Sequence, residues 1–397
     1  MGVPIKQFIL NTLNTLKDAE GINTRHLETY CCKCVAVDIT SYLYLSLATG
    51  NITEGIFNLI SKLRGYGIII LVVFDGYPPD TKFTVINKRR RYRNRASDKI
   101  IELKLQKEIL IRKRDEKIDS GYLSSSFDSI QSNNEHDFDF DNKDTDDCCD
   151  DFDLSEINST IEKLDIEIKK YEKRAVSIKI EHIIEIKELL NLLNIQYVHM
   201  EEYEADVVCS ALAKYKLVDA VLSNDMDMLA YGCSIILRDF TFKKDTITEY
   251  NTSKIIKNLD LDTNQFIDFC IILGNDYNSR LCNYCDDDDI YKLIKKYDNI
   301  ENIINYMEKQ QISYNKQCKY ENTRQIYNMI IPYKNIYIRN VLPQFHYNKE
   351  KISKYLVPKC PRLKLGLILR KISTIMMHIK QKPLEFTRRD DNKRYSI

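Results

Sequence analysis

The chain has 397 residues, 44% hydrophobic and 29% charged, a globular composition with apolar material for one large domain or two smaller ones. Its 12 cysteines are scattered through apolar runs and no secretory signal opens the chain, so a disulfide framework is excluded and reduced thiols in the cytoplasm are expected. No apolar stretch approaches the roughly 20 residues of a membrane span, "MGVPIK" lacks the Ser or Thr of a myristoylation signal, and the net charge of +1 decides nothing about partners.

In chain order, the first buried strand is "CVAVDI", which brings Asp38 to its end. The amphipathic "IFNLISKLRGYG" then predicts a helix, and "GIIILVVFDG" a second buried strand ending at Asp75. A strongly basic helical stretch follows, "KFTVINKRRRYRNRASDKIIELKLQKEILIRKR". From 119 to 156 the chain turns rich in Ser, Asn and Asp and carries about a dozen more acidic than basic residues, which predicts a disordered acidic insertion. A second helical stretch closes that loop, so two helices flank it. With the insertion set aside the rest of the chain is basic, so the near-zero total conceals a body compatible with a polyanion.

Further on, "EEYEADVVCSAL" places Glu204 and Asp206 at the start of a helix, "LVDAVLSND" predicts a third buried strand ending at Asp225, and "IDFCIILGNDYN" runs to Asp276. Strand and helix alternate, as in an α/β fold with a mostly parallel central sheet and helices on both faces. Sites in such sheets lie beyond the carboxyl ends of the strands, which gathers Asp38, Asp75 and Asp225 at one edge. The expected organisation is 1–118 and 157–300 as two parts of one core, the insertion at 119–156 between them, and a helical C-terminal region at 301–397. "CCKC" and "CNYC" have the spacing of half a zinc site, but neither has a clear second half.

The pair Asp225 and Asp227 in "SNDMDMLAYG" poses the chemical question, since like charges that close repel unless a cation, a proton or water separates them. Seven carboxylates, Asp38, Asp75, Glu204, Asp206, Asp225, Asp227 and Asp276, stand in motifs without a compensating Lys or Arg and suit hard divalent cations. Magnesium fits best and manganese is the substitute. Two ions about 4 Å apart would activate a water and stabilise the leaving oxygen of a phosphodiester.

These motifs, in order and spacing, resemble the flap endonuclease branch of the XPG family of structure-specific nucleases. The chain opens with Met-Gly, "FDGYPPDTK" follows the second strand, and "EAD", "DMDMLAYG" and "IILGNDY" complete the set. The resemblance implies a PIN-like nuclease core with a helical arch, the seven carboxylates as metal ligands, Lys82 and Arg89 acting on the scissile phosphate, and Tyr44 stacking on a base. It also implies DNA contacts from Gly2, Lys88, Arg90, Arg91, Arg93 and Arg95, and branched or nicked DNA as substrate. After Asp276 the chain departs from the family: "SRLCNYCDDDDIYKLIKKY" has no glycine for a tight hairpin turn, and Asp286 to Asp289 oppose a phosphate. The C-terminal "QKPLEFTRRDDNKRYSI" lacks the spaced aromatic pair of a sliding-clamp box and reads as a basic tail.

High Ile, Asn, Lys and Tyr usage with no Trp suggests an A·T-rich genome and resembles the flap-endonuclease-like proteins of poxviruses, which implies viral replication proteins as partners. The alternatives are an RNA-cleaving enzyme on a similar core and a DNA-binding scaffold of the same fold. A phosphatase of the haloacid dehalogenase type is excluded because "DMDML" lacks the required threonine.

Overall fold

The computed structural model describes residues 4–15, 21–128, 154–336, 338 and 348–377. It divides into two units, Met1–Asn87 with Ile178–Ile397, and Lys88–Ser177.

The first unit is built on a seven-stranded sheet: β1 (Ile22–His26), β2 (Cys34–Asp38), β3 (Ile69–Phe74), β4 (Gln196–His199), β5 (Ala220–Leu222), β6 (Ile235–Arg238) and β7 (Thr246–Asn251). The strand order is β1-β7-β6-β5-β2-β3-β4. The five strands from β6 to β4 are parallel, while β7 and β1 run antiparallel at one edge.

The central strands read as unbroken apolar runs because both faces are covered. Along β2, Cys34 and Ala36 enter one core and Val35 and Val37 the other; along β3, Leu71 and Val73 face the first core and Ile70, Val72 and Phe74 the second. The first core takes α1 (Lys6–Thr15), α7 (Ala205–Lys214), α8 (Asp227–Ala230) and α9 (Thr252–Asn258). It also takes α10 (Thr263–Leu273), α11 (Asp287–Tyr297), α12 (Ile300–Lys309) and α13 (Tyr320–Tyr327). The second core takes α2 (Thr40–Ala48), α3 (Ile52–Gly65), α6 (Ile180–Leu192), α14 (Lys349–Lys359) and α15 (Leu365–Met377). Helix starts follow capping chemistry: Asn51 accepts from the Glu54 amide at 2.8 Å ahead of α3, and Asp262 and Gln265 form a reciprocal box ahead of α10.

The second unit is helical. Helix α4 (Phe83–Asp128) begins in the first unit and continues through the second, where α5 (Leu154–Ala175) accompanies it. Lys107 Nζ meets Asp165 at 2.6 Å and Lys104 meets Glu172 at 3.1 Å, while Ala96, Leu103, Ile157, Ile161 and Ile168 are buried.

One expectation changes here, and one acidic run gains a structural role. Helix α4 runs to Asp128 and α5 starts at Leu154, so both reach into the 119–156 stretch read as disordered; residues 129–153 lie outside the described residues. Asp286 to Asp289 form a helix start: Asp286 accepts from the Asp289 amide at 2.7 Å, and three aspartates occupy the first turn of α11, where the helix dipole favours them. The C-terminal stretch from 378, and Gly2, also lie outside the described residues.

Candidate active site

Asp38 is the last residue of β2, and Asp75 follows the end of β3. Strand β5 stops at Leu222 rather than reaching Asp225, because after Ser223 the chain turns into α8. Ser223 makes that turn useful: its hydroxyl donates to Asp38 Oδ2 at 2.9 Å and accepts from the Asp225 amide at 3.1 Å. The Asp227 amide in turn donates to Asp225 Oδ1 at 2.9 Å. Asp38 and the loop of Asp225 therefore flank the junction of β2 and β5, where connections leave the sheet in opposite directions.

The second half of the site is a loop pairing. The Gly76 amide donates to Tyr203 O at 2.9 Å, and a Cβ at Gly76 would stand 2.1 Å from Met200 O, so only glycine admits the two loops this close. Asp75 Oδ1 consequently accepts from the Ala205 amide at 2.8 Å, at the start of α7 and between Glu204 and Asp206. Here the N-terminal dipole stabilises a carboxylate.

Lys82 supplies the positive charge. Its Nζ donates to Glu204 Oε1 at 2.6 Å, lies 3.8 Å from Asp276 Oδ2 and sits 5.1 Å above the Tyr277 ring. Burial works against this ammonium, but Glu204 and Asp206 outweigh it and hold Lys82 above its ordinary range. The other oxygen of Glu204 accepts from Tyr277 Oη at 2.8 Å, and Tyr277 pairs with Tyr231 Oη at 2.7 Å.

Six of these groups, Asp38, Lys82, Glu204, Asp206, Asp227 and Asp276, are buried. Burial, then the charges of Asp75 and Asp225, push Asp38 up to about 7 against the pull of Ser223. Asp206 is driven well above the usual carboxylate range by burial, then by Asp225 and Asp38. The sheet edge thus gathers carboxylates that feel one another through low-dielectric surroundings.

Among the described residues no three His, Cys, Asp or Glu side chains converge as a preformed metal cage. The donor chemistry nevertheless fits a hard divalent cation: all-oxygen ligands, mostly buried, with carboxyls raised by burial and then by mutual repulsion, which a cation would relieve.

Tyr44 lies on α2 and is 37% exposed. Lys88, Arg89, Arg90, Arg91, Arg93 and Arg95 occupy successive turns of α4 in the second unit. In that unit Tyr92, Arg95, Ala96 and Lys99 of α4 and Tyr171 and Arg174 of α5 line a groove of about 520 Å³. Sequence reasoning missed several groups. Ser223, Tyr231 and Tyr277 act through contacts between distant segments and leave no local signal beyond standing in the motifs. His199, at the end of β4, approaches the Asp75 carbonyl with Nε2 at 3.0 Å, while Lys187 Nζ lies 2.6 Å from its Nδ1. The ammonium has only donors, so Nδ1 accepts and Nε2–H donates, which fixes the tautomer and steadies the strand end before Asp75.

Residues 9–96 match the model of the XPG N-terminal domain and residues 194–276 that of the XPG I-region. Flap endonuclease 1 of Enterocytozoon bieneusi (strain H348) is 28% identical over 326 residues, covering 78% of this chain and 74% of its own. Among solved structures, flap endonuclease-1 from Methanococcus jannaschii superimposes with a TM-score of 0.56 at 20% identity, over 94% of this chain and 100% of that one. The catalytic core of Rad2 in complex with DNA substrate gives 0.54 at 18%, over 95% and 99%. At such identities the two structures speak for the fold, a mostly parallel sheet with helices on both faces.

Proposed function

Since this chain belongs to the XPG family of nucleases, hydrolases of phosphodiester bonds, we propose that it is a magnesium-dependent, structure-specific 5′ nuclease cutting flap, gapped or branched DNA. The observation that carries this reading is the set of mutually repelling carboxylates at the carboxyl edge of the sheet, with one buried lysine among them. Asp38, Asp75, Glu204, Asp206, Asp225, Asp227 and Asp276 would hold two magnesium ions, directly or through water, with manganese as substitute. Bound metal would supply an activated water and a stabilised leaving oxygen.

The protein side chains do the rest. Lys82 and Arg89 meet the charge that develops on the phosphate. Glu204 and Tyr277 hold the Lys82 ammonium until substrate arrives, so its reorganisation is small. Tyr44 stacks on an unpaired base, and Lys88, Arg90, Arg91, Arg93 and Arg95, with Gly2, contact backbone without reading sequence. The cationic and aromatic lining of the α4/α5 groove supports a single-stranded ligand in that unit. An amino-acid usage typical of A·T-rich genomes supports a role in viral replication, recombination and repair in the host cytoplasm. Among the described residues no helix is long and apolar enough to cross a membrane.

The test is magnesium-dependent cleavage of end-labelled 5′-flap, gapped, four-way-junction and RNA-containing substrates by purified protein. Cutting at the DNA junction supports the reading. Preference for RNA without regard to a 5′ junction makes it an RNA-cleaving enzyme, and binding without cutting in either metal makes it a scaffold.

A further inference from the structure

The turn that leads into α11 carries a second piece of chemistry. Cys282 and Cys285 point their sulfurs at each other with Sγ atoms 2.6 Å apart, whereas the adjacent exposed pair Cys31 and Cys32 stands at 3.7 Å. The shorter separation lies between ordinary contact and the ~2.05 Å of an S–S bond. Cys282 is buried and Cys285 half-buried, so Cys285 is the nearer of the two to solvent.

Arg280 imposes this geometry. Its Nε donates to Cys282 O at 3.0 Å, Nη2 donates to Cys285 O at 2.8 Å, and Nη2 also meets Asp287 Oδ1 at 2.8 Å. One guanidinium thus holds both ends of the Cys-x-x-Cys turn and the first turn of α11. The backbone of Arg280 is fixed as well: Gly274 has φ +88°, and a Cβ there would stand 2.9 Å from Arg280 N. The Leu281 amide donates to Ile272 O at 3.0 Å. A half zinc site is the other use of such spacing, but among the described residues no third ligand joins the pair.

We propose that Cys282 and Cys285 are a redox modification site that closes to a reversible intramolecular disulfide. With a low-molecular-weight disulfide such as oxidised glutathione as oxidant, the S–S bond of the oxidant breaks and a bond forms between Cys282 Sγ and Cys285 Sγ. The two thiol protons and two electrons leave with the oxidant as two molecules of small thiol. The closed loop is short and gains little from chain entropy, so preset geometry is what favours closure. Burial, then the hydrogen bond that Cys285 donates to Cys282, pushes the Cys285 thiol up to about 12, which makes its attack on an oxidant slow. The inference stands on this turn alone and is independent of nuclease activity.

The test uses the full-length protein, equilibrated over a series of reduced-to-oxidised glutathione ratios, quenched with a maleimide and mapped by mass spectrometry. The peptide holding Cys282 and Cys285 should lose two hydrogens and escape alkylation, while Cys31 and Cys32 carry maleimide or glutathione. Dithiothreitol should reverse the change. Cys285→Ser and, separately, Cys282→Ser should abolish the bond, with thermal melting confirming that each variant is folded. Arg280→Lys should shift closure to more oxidising ratios. The proposal is overturned if both cysteines stay alkylatable throughout, if Cys285 ends as a stable mixed disulfide, or if zinc alone protects the reduced pair and a chelator reverses it.

Discussion

Two regions of the first unit bury acids, and they do so in opposite ways. Asp268 of α10 is buried against Arg324 of α13, whose Nε and Nη2 donate to its two oxygens at 2.8 and 2.7 Å, while the Ile300 amide adds a third bond at 3.1 Å. Arg324 also reaches Glu301 at 2.8 Å. Here every negative charge has a fitted donor, and the arrangement joins α10, α12 and α13. At the sheet edge Lys82 meets Glu204 and Asp276, while burial and neighbouring carboxylates push Asp38 and Asp206 above the usual carboxylate range. A buried acid with its own arginine joins helices; buried acids that raise one another's pKa at a strand edge would gain from a cation.

The contrast breaks most sharply at Asp225. Asp225→Asn should nearly abolish cleavage, on the order of 10³-fold or more, with DNA binding largely intact. The same change should raise the melting temperature of the protein in chelator, because it removes a charge that Asp38 and Asp206 both feel. Equal loss of binding and cleavage would remove Asp225 from the metal site.

Arg324→Ala should behave conversely, costing about 2–3 kcal/mol in denaturant melts, somewhat under the fully buried range because Arg324 is 30% exposed. Turnover per folded molecule should not change.

Lys82→Ala should lower turnover about 10²-fold with little change in DNA affinity, since its contact is assigned to developing charge. An unchanged kcat excludes Lys82 from the chemistry. Tyr277→Phe removes only the hydroxyl that holds Glu204 Oε2, and turnover should fall about tenfold, with a rise in the magnesium concentration needed for half-maximal rate. A loss of stability without that metal shift would make Tyr277 merely structural.

The smallest expected effect is in pH, and its sign differs between Glu301 and Asp38; Asp268, raised by burial against the pull of Arg324, shares the sign of Asp38. Glu301 is held below its ordinary value by the hydrogen bond from Arg324, so its contribution is present above the unfolded carboxylate range and lost as pH falls. Asp38, raised to about 7, contributes oppositely: what it adds is present at low pH and lost as pH rises through about 7. In chelator, wild-type melting temperature should drop slightly from pH 6 to pH 8, and saturating magnesium should remove that drop.

What the sequence made legible follows from these physics. Asp38 and Asp75 stand out because central parallel strands must be apolar throughout, so the first charge marks the strand end. Glu204 and Asp206 stand out because a helix start tolerates acids. The antiparallel edge was illegible: "INTRH" is half-buried to exposed and "TITEYN" buries only Ile247 and Tyr250, so neither carries an apolar run. The partners of Glu204 were equally hidden, since Tyr277 reaches it from 73 residues away and Tyr231 in turn reaches Tyr277 from 46 residues away, a relation only the fold creates. The acidic run at Asp286 was read for its charge alone, and its part in beginning a helix went unread.

The pairing of β2 with β5, which sets Val35 beside Ala220, has a consequence for how the molecule comes into being. Those partners stand 185 positions apart in the chain, so the central sheet is closed late, after the local contacts of α4 and α5 have had their chance to form. The last carboxylate, Asp276, emerges later still. A nascent chain therefore carries its basic helix well before it carries a complete acidic edge.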